Sequence, residues 1–584
     1  MAKQEREKKA EGSTEKKVID EISEKASDYE NKMTQFMSEC VEWADLYKVK
    51  PPARKDKTFS NPRQTEFFRA ANAVGTLTYR MMTAADPFFM AQPVDINPDY
   101  DALETLTHTW KTQIKYAKYR PALLRACHFA PVFGTVIAQL DYRVIGVSQF
   151  GRRVPVTMMI PRVLDQIMFD RGTMSIDEAD WVATADVTSA VALKRLAQEA
   201  DELGTPWNPK ALAAAAEGKE EGNTINDNVK QRLLRSGFSQ DDALKSKKEL
   251  LMYYGKLDAL NDGMEYVCAL VNRKYLVRFH ANTFQHGKRP FVVGKWQDFD
   301  TALGYGMGQL LGNSHRAMDA NRQKAQDLLS FGAYNMWKRR RNTVADEVFV
   351  ARPLQILDVD NMDDIMPLSP DMRGAEGILR LDEILKAEFR AASGASDTLQ
   401  AIANEATSAT ASALSQNEGL RAASVHAEML ADPLVREYLE INHANNLQNI
   451  RAPFNINKAG VASRVYPMDL RMDVDIEAKV TTDKDFRPQR LDKLIQTLQI
   501  LVSTKSQHPD QMQISVLPLV KEIAYCLEVN PQDIIQSPGA MPMAQGMGAG
   551  DMGGLAQMMG PGGEPQMAGG VAPVNTPVGQ VLAA

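Results

Sequence analysis

Apolar residues recur at intervals of three and four positions along much of the chain, which is the period of an amphipathic helix. The first run spans 18–36, where Val18, Ile22 and Tyr29 share one face and alternating charges occupy the other. The same period predicts further helices over 61–82, about 100–130, 305–337, 375–392, 404–449, 486–503 and 512–526. The pattern therefore predicts a mainly helical protein.

Two of these helices carry signals for their ends. In the helix over 61–82, Asn61 is a candidate N-cap and Pro62 fits the first helical position. The ADPFF segment, with Pro87, then ends that run. In the helix over 404–449, Pro433 removes a backbone donor and Asp432 suggests a capped restart, so a kink or break is expected.

A second pattern, rich in β-branched residues, predicts strands between the helical regions. The segments that show it are GTVIAQLDYRVIGV, VPVTMMIP, QIMFD, DWVATADV, ELLMYYGKLDAL, MEYVCALVN, KYLVRFHA and PFVVGKW. Residues 186–250 return largely to helix, and residues 342–370 are strand-like and rich in turns. The fold class expected from this order is α+β, mainly helical.

Composition narrows the classes of function. Lys plus Arg is 68 and Asp plus Glu is 74, which gives a net charge of −6. A conventional basic DNA-binding domain is therefore unlike this chain, whereas a protein that surrounds DNA without gripping it is compatible with the charge. The four cysteines have no CxxC spacing, which favours a reducing compartment without disulfides or zinc.

The chain ends and the hydropathy add further expectations. The first residues, MAKQEREKKAEGSTEKK, lack the apolar core of a secretory signal, and no run approaches a membrane span. Residues 538–584 are dominated by Gly, Met, Pro and Ala, and this composition predicts disorder.

Motifs for catalysis are missing from the sequence. There is no GxxxxGK[ST] loop, no GxSxG and no HExxH, and GYGMG at 304–308 lacks the spacing of a dinucleotide site. His280 and His286 are the closest histidine pair and are read as structural or solvated. Asp358, Asp360, Asp363 and Asp364 are read as a solvated loop or as a face for a basic partner rather than as a cation site. We therefore expect no enzyme, no cofactor and no metal.

The helix over 305–337 carries a stripe of small and medium residues that is typical of close helix–helix contact. Its members are Leu310, Leu311, Ser314, Ala317, Met318, Asn321, Ala325 and Leu328. A helix, a strand-and-turn insertion and a returning helix must pack side by side or against neighbours. Contact between subunits and a helical hairpin inside one domain both remain open from the pattern alone.

Several segments, taken in order, resemble the portal proteins (head–tail connectors) of tailed double-stranded DNA bacteriophages. They are NPRQTEFFRAANAVGTLTYRMM with ADPFF, RPALLRACHFAPVFGTVIAQLDYR, VLDQIMFDRGTMSIDEADWVA, RPFVVGKWQDFDTALGYGMGQLLGNSHRAMDANRQKAQD and SGASDTLQAIANEATSATASALSQNEGLRAA. The resemblance covers about residues 40–530. It implies a ring-forming portal-type fold with wing, stem, clip and crown.

The resemblance implies a division of the chain. The expected parts are an N-terminal extension (1–40), an α/β wing (41–304), stem helix 1 (305–337), the clip (338–374), stem helix 2 (375–392), a tunnel loop (393–406), a long wing helix with strand return (407–479), a helical crown (480–537) and the disordered tail (538–584).

The function implied is structural. Such proteins form a ring, usually a homo-dodecamer, at one capsid vertex of the virion after assembly in the host cytoplasm, and DNA passes through the channel during packaging and ejection. The implied partners are the terminase large subunit, head–tail adaptor and tail proteins, major capsid and scaffolding protein, and weakly held double-stranded DNA of any sequence, with no membrane. The alternatives are another viral scaffold or minor tail protein, or an enzyme with a helical cap.

The resemblance also suggests candidate residues. Those for the DNA channel are Lys386, Arg390, Glu383, Ser393, Gly394, Ser396 and Asp397, and those for clip partners are Lys338, Arg339, Arg340, Arg341, Asp358, Asp360 and Asp363. Asp382 and Lys386 are spaced to form a pair. A salt-bridge face for the basic residues, an interhelix turn for 393–397 and a solvated helix end for 338–341 are the competing interpretations.

Overall fold

Helices and antiparallel sheets both build this chain, which confirms the predicted α+β class. The computed structural model describes residues 2–51, 61–94, 99–146, 153–203, 205–218, 247–284, 287–299, 301–333, 336–339, 365–368, 373–394, 424–458, 461–480 and 495–499. The chain divides into two compact units, Met1–Asp492 and Lys493–Ala584. Within the described residues, no helix combines the length and the apolarity that crossing a membrane requires.

The helices follow the predicted order. In the first unit they are α1 (Ala2–Tyr47), α2 (Glu66–Thr83), α3 (Tyr100–Tyr116), α4 (Tyr119–Phe133), α5 (Ala190–Leu203), α6 (Pro209–Glu217), α7 (Met307–Ala333), α8 (Arg373–Ser393), α9 (424–431) and α10 (Tyr438–Asn449). In the second unit, 495–499 are helical, and the rest of the predicted helices 486–503 and 512–526 and the tail 538–584 lie outside the described residues.

The strands pair only antiparallel within the described residues. They are β1 (Phe89–Pro93), β2 (Thr135–Gly146), β3 (Arg153–Arg162), β4 (Ile167–Phe169), β5 (Trp181–Ser189), β6 (Lys247–Lys256), β7 (Glu265–Val271), β8 (Tyr275–Ala281), β9 (Phe291–Lys295), β10 (Met336–Arg339), β11 (Ile365–Leu368), β12 (Phe454–Lys458), β13 (Val461–Val465) and β14 (Val474–Ala478). One sheet has the order β4-β5-β6-β7-β8 and another the order β3-β2-β9, while β1–β14, β10–β11 and β12–β13 form pairs.

The N-terminal helix α1 belongs to the main hydrophobic core. Its apolar face, from Val18 to Leu46, is buried in the same cluster as the sheets. Arg273, in the turn after β7, lies 2.5 Å from Glu30 of α1 and 3.0 Å from Glu249 of β6. These partly buried ion pairs join α1 to the five-stranded sheet.

Helix α2 begins later than the sequence suggested. Its N-cap is Thr65 rather than Asn61, so the predicted capping role of Asn61 and Pro62 is wrong. The reason is that Arg63 and Gln64 make long-range hydrogen bonds to Asp319 of α7. Those bonds hold the residues before Glu66 outside the helix.

The helix predicted over about 100–130 is two helices. Asp99 caps α3 by accepting hydrogen bonds from the backbone of Asp101 and Ala102. Lys118 then adopts a left-handed conformation (φ 53°) and the chain restarts as α4. One left-handed residue is enough to reverse the direction of the chain, and the apolar period gives no warning of it.

Pro433 changes the helix without the capped restart that Asp432 suggested. Residues Asp432–Glu437 form a π-helical turn between α9 and α10, and the side chain of Asp432 pairs with Arg436 instead of capping the backbone. The wider turn accommodates the proline because its missing N–H is no longer required by the α-helical ladder.

Two motifs that are distant in sequence meet in the core. Gly134, at the end of α4, has φ 78°, and its carbonyl accepts a hydrogen bond from the backbone N–H of Trp296 at 2.8 Å. A Cβ on Gly134 would lie 2.1 Å from the carbonyl oxygen of Gly304, just before α7. The turns at Gly134 and Gly304 therefore pack this closely only because neither glycine has a side chain.

We expect Gly134→Ala to lower the free energy of unfolding by at least about 2 kcal/mol, because a left-handed alanine is strained and its methyl group collides with backbone. Gly146→Ala is the matched control, since a Cβ at Gly146 meets no atom within 4 Å. Urea denaturation of the two variants measures the difference. Equal midpoints would contradict this account of the turn.

Candidate functional site: the α7–α8 pair and its polar junction

Helices α7 and α8 pack side by side and antiparallel, which is one of the two arrangements that the helix–insertion–helix order left open. His315 near the start of α7 contacts Phe389 near the end of α8, with ring centroids 5.8 Å apart. At the other end of the pair, Met336 of β10 is aligned with Leu368 of β11 in a two-stranded antiparallel ladder. Strands β10 and β11 thus lie between the end of α7 and the start of α8 in the chain, and their pairing brings these two helix ends together.

The predicted helix 305–337 is too long at its C-terminal end. Helix α7 stops at Ala333, and residues Met336–Arg339 form β10. Lys338 and Arg339 therefore lie in a strand, and the interpretation of this cluster as a helix end is wrong for them. Antiparallel pairing with β11 satisfies backbone groups that a longer helix would have used. The other candidate clip residues, Arg340, Arg341, Asp358, Asp360 and Asp363, lie outside the described residues.

The buried face of α7 is more polar than the predicted stripe. Met318 and Ala325 are buried as expected, but Leu310 is 52% exposed and Ala317 is exposed. His315, Asp319 and Gln323, which lie outside the predicted stripe, are buried instead. The segment before α2 gives two of these groups their hydrogen-bond partners, because Asp319 accepts from Arg63 and Gln64 and Gln323 donates to Asn61 Oδ1 at 3.2 Å.

The residues that join α2, α7 and α8 are here called the polar junction. Its members are Arg63, Gln64, Glu66, His315, Asp319, Gln323, Asp382, Lys386 and Arg390. The Gln64 backbone N–H donates to Asp319 Oδ1 at 2.8 Å. The Gln64 side-chain amide donates to the Met318 carbonyl at 3.0 Å and to Asp382 Oδ1 at 2.7 Å. One glutamine therefore ties α7 to α8.

Ion pairs complete the polar junction. Arg63 Nε lies 3.2 Å from Asp319 Oδ2, and both side chains are less than one-tenth exposed. Lys386 Nζ lies 2.7 Å from Asp382 Oδ2, which confirms the predicted pair. A buried carboxylate with two donors is far more stable than an unpaired one, so these contacts hold the helices in register.

His315 is the titratable group most affected by this environment. Burial lowers its pKa, the Asp319 carboxylate opposes the shift and Arg63 adds to it. The nearest carboxylate oxygen, Asp319 Oδ1, lies 3.8 Å from Nε2. The ring also contacts Phe67 and Phe389, which keep water away. His315 is therefore held neutral near pH 7.

The structure places the candidate channel residues at the end of α8 nearest the body. Lys386 forms an ion pair with Asp382, and an Arg390 guanidinium nitrogen lies 3.2 Å from Glu66 Oε1. Glu383 is exposed, and the buried Ser393 hydroxyl donates to the Arg390 carbonyl at 3.0 Å. Gly394 has φ 68°, and Ser396 and Asp397 lie outside the described residues.

Sequence reasoning missed the contributions of Gln64, Glu66 and Asp319. One local signal existed, because His315 and Asp319 at i, i+4 interrupt an apolar stripe with a pair of polar residues. Their partners lie more than 250 positions away, so no local pattern could identify them.

The outward faces of α7 and α8 carry apolar side chains. Leu381 and Ile384 of α8 are 48% and 56% exposed, and Leu329 of α7 is 47% exposed. Exposed apolar residues grouped on a rod-like element favour contact with another chain.

No protein-family model matches the sequence, and no curated protein is significantly similar to it. Among the described residues, no group of three or more His, Cys, Asp or Glu side chains is arranged to hold a metal ion.

Gln64→Leu is expected to lower the free energy of unfolding by about 1–3 kcal/mol, because it removes the buried hydrogen bonds that Gln64 donates to Asp382 Oδ1 and to the Met318 carbonyl. Urea denaturation measures the change. Gln198→Leu, at an exposed position of α5, is the matched control and should be nearly neutral. If both variants unfold at the same midpoint, the bridging role of Gln64 is wrong.

Acidification should destabilise the protein partly through His315. Because its pKa is lowered in the folded state, the unfolded chain binds the proton first, so the free energy of unfolding falls as the pH drops through about 6.5. His128, His280, His426 and His443, whose pKa values burial also lowers, contribute in the same direction.

The His315 share is measured from thermal midpoints between pH 8 and pH 5 for the wild type and His315→Gln. The variant should show a shallower pH dependence, with its difference from the wild type at pH 8 serving as the baseline. Parallel curves over the whole range would show that His315 does not titrate differently in the two states.

Proposed function

We propose that this chain is the subunit of a portal-type ring, with a central channel through which double-stranded DNA enters and leaves a viral capsid. The observation that carries the proposal is the antiparallel α7–α8 pair, anchored at one end by the polar junction and joined at the other by β10–β11. This arrangement corresponds to the stem, wing and clip that the sequence resemblance implies. Within the described residues of the first unit, this helix pair packs on an α+β body, and we identify no catalytic constellation among them.

The exposed apolar side chains support assembly from several copies. Leu381 and Ile384 lie on one side of α8, and a neighbouring copy would remove them from water. A closed ring covers such a face on every subunit, which is why cyclic assemblies use complementary surfaces. The proposal therefore explains residues that a solitary subunit would leave exposed.

The charge supports a conduit rather than a DNA-gripping protein. The net charge of −6 per chain gives a ring of about twelve copies a total near −70, which weakens capture of phosphate. Lys386 forms an ion pair with Asp382, and Arg390 forms one with Glu66. Any phosphate contact made by these two residues competes with an internal partner and is therefore brief.

The proposal assigns partners to the two ends of the subunit. The β10–β11 end, with Lys338 and Arg339, would receive the terminase during packaging and adaptor or tail proteins afterwards. The body would meet the capsid and scaffolding proteins. No catalytic activity is assigned to the chain.

Native mass spectrometry and negative-stain imaging of the full chain test the proposal. A closed ring of about twelve copies with a central hole is expected. A monomer at micromolar concentration would overturn the proposal. A filament or a particle without a channel would also overturn it, and would favour another kind of viral scaffold.

The ring contact is tested by the double variant Leu381→Asp with Ile384→Asp, which should shift the protein from rings to monomers because charges would enter an apolar interface. Val191→Asp is the matched control, at a position on α5 that is 78% exposed. The control should still form rings. Rings of unchanged size from the double variant would show that this face of α8 is not the contact.

A further inference from the structure

A cleft with a basic rim lies where α3 ends, α4 begins and the chain enters β1. It has a volume of about 460 Å³. Its lining consists of Asp86, Pro87, Phe88, Phe89, Lys111, Ile114, Lys115, Lys118, Tyr119, Arg120 and Pro121. Four of these residues are cationic and one is acidic, in a chain whose net charge is negative. The local charge is therefore the reverse of the overall charge.

Three of the rim cations have no carboxylate partner among the described residues, while Lys115 and Arg120 each lie 6.0 Å from the centroid of an aromatic ring, Tyr116 and Phe88 respectively. Lys115, Lys118 and Arg120 are exposed, and none of them forms an ion pair with another described residue. Elsewhere in the same body, exposed or half-buried arginines such as Arg316 and Arg436 lie beside carboxylates. The N-terminus of α4, a helix of 15 residues, adds the positive end of its dipole to this rim, and no side chain caps it.

The floor of the cleft is apolar and rigid. Phe88 and Tyr119 stack with ring centroids 5.8 Å apart, and Tyr119 contacts Tyr438 at 4.4 Å. The Tyr119 hydroxyl donates to the Leu434 carbonyl, which fixes the ring at the base of α4. An apolar floor of this kind accepts an apolar side chain with little loss of conformational entropy in the protein, because the pocket is already formed.

The floor favours a peptide over a nucleic acid. Phe88, Phe89 and Tyr119 are at most 3% exposed, so their ring faces offer no platform on which a base stacks, and the apolar surface that a bound side chain reaches is that of the half-buried Pro87 and the exposed Pro121. Asp86 on the rim repels a continuous row of phosphates, whereas it can accept a hydrogen bond from a peptide N–H. Carboxylates on either side of an apolar side chain would match both the cations and the floor.

We propose that this cleft is a docking site for an acidic peptide segment of a partner protein, with one apolar side chain seated on the floor and flanking carboxylates on Lys115, Lys118 and Arg120. The site lies on the α3–α4 corner and does not depend on the ring proposed above. Binding of this type weakens with salt, because the rim pairs remain partly in water.

The probe for the test is a labelled nine-residue peptide with a central leucine flanked by aspartate and glutamate, added to the full chain and followed by fluorescence anisotropy. Two matched peptides dissect the site, one with serine in place of leucine and one with asparagine and glutamine in place of the acids. Each should bind at least tenfold more weakly than the probe. A short DNA duplex should not displace the probe.

The variant Lys115→Glu with Lys118→Glu should weaken probe binding at least tenfold, because it reverses two charges at exposed positions. Lys194→Glu with Lys210→Glu, on α5 and α6, makes the same charge change away from the cleft and should bind as the wild type does. Thermal midpoints verify that both variants fold.

Three results would overturn the proposal. The first is failure of the probe to bind, or equal binding by both double variants. The second is equal binding of the serine peptide, which would reduce the cleft to a nonspecific basic surface. The third is displacement of the probe by the DNA duplex, which would assign the cleft to phosphate.

Discussion

A buried carboxylate is stable only when donors surround it, and in this chain Asp319 and Asp382 both meet that condition through Gln64. The backbone of Gln64 serves the first carboxylate and its side chain the second. Because hydrogen bonds tolerate little displacement, the two long helices are held at one register rather than at any of several apolar alternatives. Gln64 is therefore the residue that links the two buried carboxylates across the helix pair.

Other contacts strengthen the same end of the pair. A Cβ on Gly308 would lie 2.5 Å from the ring of Trp43, so α1 approaches α7 as closely as a glycine permits. Arg316 of α7 pairs with Glu42 of α1 at 2.7 Å. The turn at Gly134 closes the same region from the side of the three-stranded sheet. The base of α7 is therefore fixed from several directions, while the outer faces of the pair stay exposed.

A helix pair with a fixed base and exposed outer faces suits the proposed role. A channel wall needs rods that keep their orientation under load, and a rigid base supplies that property. DNA that moves along the proposed channel must be attracted only weakly to the wall, and cations that are already paired with carboxylates, such as Lys386 and Arg390, attract phosphate weakly. The lining of the cleft at the α3–α4 corner carries a local charge opposite to the net charge of the chain.

Residue patterns alone determined much of the order of helices and strands, the α+β class and the Asp382–Lys386 pair. These features depend on neighbours in sequence, and periodicity records such neighbours directly. Only the tertiary structure decided where α2 begins, that Lys118 divides the helix over 100–130, how Pro433 is accommodated and which face of α7 is buried. In each case the controlling partner is distant or the controlling residue adopts an unusual backbone conformation, and a polar buried face leaves no apolar period to detect.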